Sequence, residues 1–333
     1  MEVNIMRTTR KLVAISMSAI MAASMGMVAF ATDSTEASAD KEWHVAYLAK
    51  NVVDAFAVKM NNEAGKDLDA MVDEGLIADW QMYDAQTDPS LQVSVFNDAI
   101  NNGANAILLQ PCEAAGSDPI VVQCNEKGIP IVVINALTDS TEKLATGYSL
   151  SDDYQAGCML GQYIKDKLPE GGKYVHMMGV VGNSAQQLRG KGIADTLKEE
   201  DGYINGGDYA AEWLAEKAVG FATDAITQYG DDLKAIVCDN DDMSSAVQAY
   251  CNSVDRSDIV CIGVDGNDGA LAMIKNGELG ATIYQDGVGQ TEYAINTILR
   301  AAITGKTDGV EMKKSDIPFV LVNADNVDEY YKK

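Results

Sequence analysis

The chain predicts an α/β fold of two doubly wound parallel-sheet lobes. Three observations predict it. Short apolar runs such as Ala106–Leu109 and Ile129–Asn135 lack the in–out alternation of a half-exposed strand, so both of their faces are covered. Helix-periodic segments separate these runs, which is the βαβ pattern of a parallel sheet. The 333 residues give about two domains at roughly 150 residues each, and the strands are too many for one compact sheet.

The elements follow in order. Trp43–Ala49 reads as the first strand, and Met60, Ala64, Leu68, Met71 and Val72 recur at helical spacing within Ala57–Val72. Gln81–Asp84 continues a second strand. Leu91, Val95, Phe96, Ala99 and Ile100 mark a helix that Gly103 stops. Ala106–Leu109 is a buried strand, Pro119–Cys124 belongs to a helix, and Ile129–Asn135 is another strand. The second half continues with helices at Asp152–Leu168, Ala185–Lys198, Ala218–Tyr229, Met243–Cys251, Gly269–Asn276 and Gln290–Ile303. Its strands are Tyr174–Met178, Ala235–Cys238, Ile259–Val264 and Ala281–Tyr284. Nearly every strand ends on a polar residue: Lys50, Asp84, Gln110, Asn135, Asn240, Asp265 and Gln285. Open α/β sheets bind ligands beyond the carboxyl ends of their strands. Two such sheets facing each other would line one cleft with these side chains.

Charge and residue usage remove several functions. Asp and Glu number 50 against 25 Lys and Arg, a formal net charge of −25, and such a chain repels a phosphate backbone. Nucleic acid is therefore not an expected partner. The two histidines, His44 and His176, stand in no motif, so neither a histidine-based metal site nor a Ser-His-Asp centre is expected. Asp241 and Asp242 are adjacent and diverge on a helix, and no glycosidase pair is visible. An enzyme is not expected, and no cofactor or metal is implied. Leu168–Lys173 is too short and too poor in carboxylates for a calcium loop.

The amino terminus is a separate module. Arg7, Arg10 and Lys11 precede a charge-free stretch from Leu12 to Phe30, and Ala29-Phe30-Ala31 fits the small-x-small cleavage rule. Residues 1–31 thus read as a secretory signal peptide, and 32–41 as a small, polar linker. The expectation is export to a periplasm or cell surface. Thr32 follows the cleavage point and the first cysteine is Cys112, so no lipid anchor is expected. The same leader occupies the place of the DNA-binding helices that a transcription regulator would need. Cys112, Cys124, Cys158, Cys238, Cys251 and Cys261 match no zinc-ligand spacing and read as small buried thiols, although export permits disulfides.

Four stretches carry a likeness. They are Tyr83-Asp84-Ala85-Gln86-Thr87-Asp88, Asn240-Asp241-Asp242-Met243, Gly263-Val264-Asp265-Gly266, and the strand from Gly277 through Ala281-Thr282-Ile283-Tyr284 to Gln285. In this order they resemble the exported sugar-binding proteins of ABC transporters, the group with the ribose and glucose/galactose binders, over almost everything after Lys41. The resemblance implies the type I periplasmic binding protein fold with crossings near 148–152, 284–286 and 315–318. The lobes would be 42–148 plus 286–315, and 150–284 plus 317–333.

A pyranose offers two faces of C–H groups and a rim of hydroxyls, so a site needs flat rings and planar polar groups. Phe56 and Trp213 stand where the resemblance implies the stacking aromatics. Asp54, Asn135, Arg189, Asn240, Asp265 and Gln285 stand where it implies the rim groups. Asp54 is also a natural helix N-cap. Arg189 is expected to donate to the ring oxygen and to balance Asp265. Ribose binders carry Asp-Arg where this chain has Asn135-Ala136, which points toward an aldohexose such as glucose or galactose. Pentoses, inositol and the more distant autoinducer-2 use similar groups. The resemblance implies a monomer that delivers its sugar to a membrane permease, and a chemoreceptor would use the same binding mechanism. Lys50 departs from the small or aromatic residue usual there and is left open between the ligand rim and the exterior.

Overall fold

The computed structural model describes residues 41–331. The expected signal peptide, its cleavage point and all but the last residue of the expected linker lie outside the described residues. Thirteen strands follow in chain order: β1 (His44–Ala49), β2 (Asp79–Asp84), β3 (Ala106–Leu109), β4 (Ile131–Ile134), β5 (Gly147–Ser149), β6 (Gly172–Met178), β7 (Tyr203–Ala210), β8 (Leu233–Cys238), β9 (Val260–Ile262), β10 (Val264–Asp265), β11 (Ala281–Tyr284), β12 (Lys313–Lys314) and β13 (Val320–Asn323). The first sheet has the order β12-β5-β4-β3-β1-β2 and is parallel throughout. The second lobe has β7-β6-β8-β9 and, after the one-residue break at Gly263, β10-β11-β13. Only β13 runs antiparallel there.

Both sheets are covered on both faces, and the strands show it residue by residue. Val45, Tyr47 and Ala49 of β1 pack with Met60 and Leu68 of helix Ala55–Asp73 and with Ile295 and Ile298 of the helical stretch 287–304. Ala46 and Leu48, pointing the other way, pack with Phe96, Ile120 and Val121. In β8, Ala235 and Val237 face Leu160, Ile164 and Ile193, whereas Ile236 and Cys238 face Ala222, Val247 and Leu271. Successive strand side chains point to opposite faces, so an unbroken apolar run is what two buried faces require.

Four strands were not legible in the sequence. β5 and β12 are three and two residues long, and β12 is a Lys-Lys pair at a sheet edge. β7 carries Gly206 and Gly207 and lies on the edge of the second sheet, largely exposed. Edge strands are shortened, charged or glycine-containing, which erases the apolar signal. β13 closes the opposite edge. All six cysteines are free thiols, and all but Cys158 are buried.

The chain leaves the first sheet after Ser149 and enters helix Asp153–Lys167, returns after Tyr284, and passes once more to the second sheet between Lys314 and Val320. The two lobes touch away from these passages. The backbone N–H of Ala114 donates to Gly182 O at 2.9 Å. Asn183 Nδ2 donates to Cys112 O at 3.0 Å, and the Leu137 N–H donates to Ser184 Oγ at 2.7 Å. The cleft is therefore closed.

Candidate functional site

Strand ends and the loops after them converge on one interlobe cavity. It is lined by Lys50, Asp54, Phe56, Asn135, Asn183, Ala185, Arg189, Trp213, Asn240, Asp265 and Gln285. All eight residues singled out from the sequence are among these. Lys50, Asn183 and Ala185 are the additions. The first ends β1, so the strand-end rule alone could have included it.

From the first lobe, Asp54 is both a cap and a cavity group. It accepts from the Ala57 N–H at 2.6 Å as the N-cap of helix Ala55–Asp73, and its other oxygen meets Asn51 Nδ2 at 2.7 Å. Lys50 Nζ lies 3.2 Å from the same carboxylate. Burial alone would raise the Asp54 pKa, but the ammonium and the two N–H donors outweigh it and hold the carboxyl below its ordinary value. The Lys50 ammonium also stands 5.7 Å from the centre of the Trp213 ring, a cation–π distance. Asn135 follows β4 with φ at 68°; its Oδ1 accepts from Gln110 and its Nδ2 donates to Gln290.

From the second lobe, Asn240 caps helix Asp241–Ser253, accepting from the Met243 N–H at 3.1 Å, and donates to Trp213 O at 3.3 Å. Asp265 ends β10 with φ at 130°. Its one side-chain partner among the described residues is Asn267 Nδ2 at 3.4 Å. Burial, reinforced by Asp241, pushes its pKa well up against the opposing pull of Arg189.

Arg189 does not balance Asp265 in the way the sequence led us to expect. Its ion pair is with Asp153 at 2.8 Å, both side chains being buried. Nε adds a bond to the same oxygen, one terminal nitrogen donates to Asp239 O, and the other reaches Gln285 Oε1 at 3.1 Å. Four of its five N–H groups are thus spent within the lobe, which leaves one for a ligand. The bond to Gln285 has a consequence. It fixes which end of that amide is the acceptor, and Gln285 Nε2 then has no hydrogen-bond partner among the described residues.

Both aromatics are seated on glycines. A Cβ at Gly179 would lie 2.1 Å from the Trp213 indole, and one at Gly287 would lie 2.6 Å from the Phe56 ring. Trp213 holds φ at 68°. A left-handed backbone at a bulky residue is costly, and Asn135, Trp213 and Asp265 all pay it around a single cavity. Such outliers cluster where a fold positions ligand groups. Among the described residues no group of three or more His, Cys, Asp or Glu could hold a metal ion.

Two parallel α/β lobes closed over a polar, aromatic-walled cavity at their strand ends define a cleft-type solute receptor. A family model described as a periplasmic binding protein domain matches residues 45–307, and the chain belongs to that family. Among curated proteins it is 30% identical over 247 residues to a xylitol-binding protein of Mycolicibacterium smegmatis, covering 73% of this chain and 68% of the relative. It is 30% identical over 261 residues to a putative rhizopine-binding protein of Rhizobium meliloti, covering 77% and 83%. It is 32% identical over 204 residues to the ribose import binding protein of Bacillus subtilis, covering 61% and 65%. Among solved structures, an ABC transporter solute binding protein of Bacillus halodurans with bound myo-inositol superposes with a TM-score of 0.78 at 25% identity, covering 87% of this chain and 97% of that one.

Proposed function

We propose that this protein is an exported solute-binding protein that captures a monosaccharide in the interlobe cavity and delivers it to an ABC transporter permease. Residues 1–31 act as its leader, no lipid anchor follows, and the released chain works as a monomer. The lobes are 42–148 plus 286–315 and 150–284 plus 317–333, and they move about the crossing segments. The sugar stacks between Phe56 and Trp213. Asp54, Asn135, Asn240, Asp265 and Gln285 grip its edge, and Arg189 offers its remaining N–H. The ligand contacts both lobes only when they are closed, so it favours closure by its differential contacts alone.

One observation carries this reading: the rim holds unspent hydrogen-bonding capacity of both kinds. Asp265 can accept hydroxyl hydrogens and Gln285 Nε2 can donate. Burying them without a ligand is unfavourable, and a polyhydroxylated ring supplies both partners at once.

An aldohexose such as glucose or galactose is the ligand that Asn135-Ala136 favours. A smaller polyol is the second reading. The cavity is tight, about 30 Å³, with Lys50 at its edge; the relatives that bind xylitol and ribose support it. Isothermal titration against glucose, galactose, xylose, ribose, xylitol and myo-inositol separates the two. Saturable one-to-one binding of at least one of them is expected. Asp265→Ala and Asn240→Ala should each weaken it roughly 10- to 100-fold, the effect of removing a buried charge-assisted or bidentate contact. Binding that survives both substitutions unchanged would place the ligand elsewhere.

A further inference from the structure

Outside the tight cavity lies a second, larger chamber of about 810 Å³. The two are continuous, because Asp54 and Trp213 line both. The first lobe contributes Val53 and Val58 to the chamber, and the second contributes Leu214, Ala246 and Ala270. This wall is mostly carbon. Val53 and Leu214 stand at its mouth on opposite lobes, 82% and 50% exposed, the kind of unpartnered apolar surface that marks a contact site. A monosaccharide held in the inner cavity would leave the whole chamber empty.

We infer that the chamber is a subsite for a substituent on the sugar, and that the preferred ligand is a glycoside whose O-linked group is uncharged, apolar and up to ring size. The inference rests on the inner cavity holding the sugar ring. Three observations select the substituent. Its volume suits a ring rather than a methyl group. Its charges exclude an anion: Asp242 and Asp268 line it, and the Lys59 ammonium that faces them is already paired with Asp268 at 3.0 Å. Its polar capacity is too small for a second sugar. Ser245 Oγ and Asn267 Oδ1 are the unpartnered side-chain atoms among the lining residues other than Trp213 Nε1, and the several hydroxyls of another pyranose would go unpaired against valine, leucine and alanine.

The test uses the full chain and the best-binding sugar of the panel above, with its methyl and phenyl glycosides in both anomers and a disaccharide carrying the same sugar. One phenyl anomer should bind roughly tenfold more tightly than the parent sugar, the return for burying most of a phenyl ring. Ala246→Phe fills the chamber and should abolish that gain. Leu214→Asp is the second variant; it lies at an exposed helix-capping position, so the fold tolerates it, and it places a charge on the wall. Both should leave the parent sugar within threefold. Phenyl glycosides that bind no better than the parent in either anomer overturn the subsite, as does a gain that survives both variants. A disaccharide that outbinds the phenyl glycoside overturns the choice of substituent. Failure of every parent sugar to bind is a different result, and it removes the proposed function itself.

Discussion

Trp213 shows how one side chain is positioned by residues that never face the ligand. Its backbone sits in the left-handed region, its carbonyl accepts from Asn240, and its indole lies where any side chain on Gly179 would be. Phe56 repeats the arrangement with Gly287. Gly179→Ala should therefore push the indole into the cavity and weaken sugar binding about tenfold or more, within the roughly 1–3 kcal/mol of overpacking. Titration of the folded variant checks this; wild-type affinity would mean that the ring does not contact the ligand. At Arg189 the same scale corrects an expectation. Its charge is committed to Asp153 and its hydrogen bonds to Asp239 and Gln285, so it orients the Gln285 amide more than it grips a sugar.

At the scale of elements, the second sheet is pinned by a buried imidazole. His176 on β6 meets Asp239 beyond β8 at 2.8 Å and Asp208 on β7 at 3.3 Å. Burial by itself would lower its pKa. The Asp239 charge and the bond from Asp208 outweigh that and lift it to about 9 from 6.5. A folded-state pKa above the unfolded one stabilises most below the unfolded value, so the contribution is complete below about pH 6.5 and is lost as pH rises through about 9. Chemical denaturation at pH 6 and pH 10 should show the wild type losing on the order of 3 kcal/mol more than His176→Gln. Parallel pH profiles for the two proteins would refute the assignment. The aspartate that anchors β10 behaves in the opposite sense. Asp241 accepts from the N–H groups of Gly266 and Asn267 and from Thr282, yet burial still lifts it to about 7. A raised carboxyl stabilises toward acid, so this residue and His176 both favour the fold at mildly acidic pH.

For the whole molecule, the balance between open and closed lobes sets apparent affinity. The closed cleft is held by the contacts between 112–114 or 137 and 182–184, and by the exposed pair Lys59–Asp268, which contributes little in water. Ser184→Ala leaves the Leu137 N–H without its acceptor in the closed form only. The ligand-free ensemble should then open, with a larger radius of gyration in small-angle scattering and sugar affinity roughly 3- to 10-fold weaker. An unchanged radius and affinity would show that this contact does not govern closure.

Much of the architecture was legible because burial writes itself into composition. Runs such as Ile131–Ile134 and periodic sets such as Met60, Ala64 and Leu68 announce strands covered on both faces and the helices that cover them. The strand-end rule also named Asn135, Asn240, Asp265 and Gln285, since a parallel sheet delivers the residues after its strands to one edge. What composition could not encode is where the unsigned elements go and who pairs with whom. The Lys-Lys strand β12 and the glycine-bearing β7 are defined by their neighbours' free edges, not by their own residues. The Arg189–Asp153 pair, the glycine seats under Trp213 and Phe56, and the Lys50 ammonium between Asp54 and Trp213 join residues far apart in the chain. Pattern along a chain reports how much of each residue is buried; only packing in three dimensions decides against what.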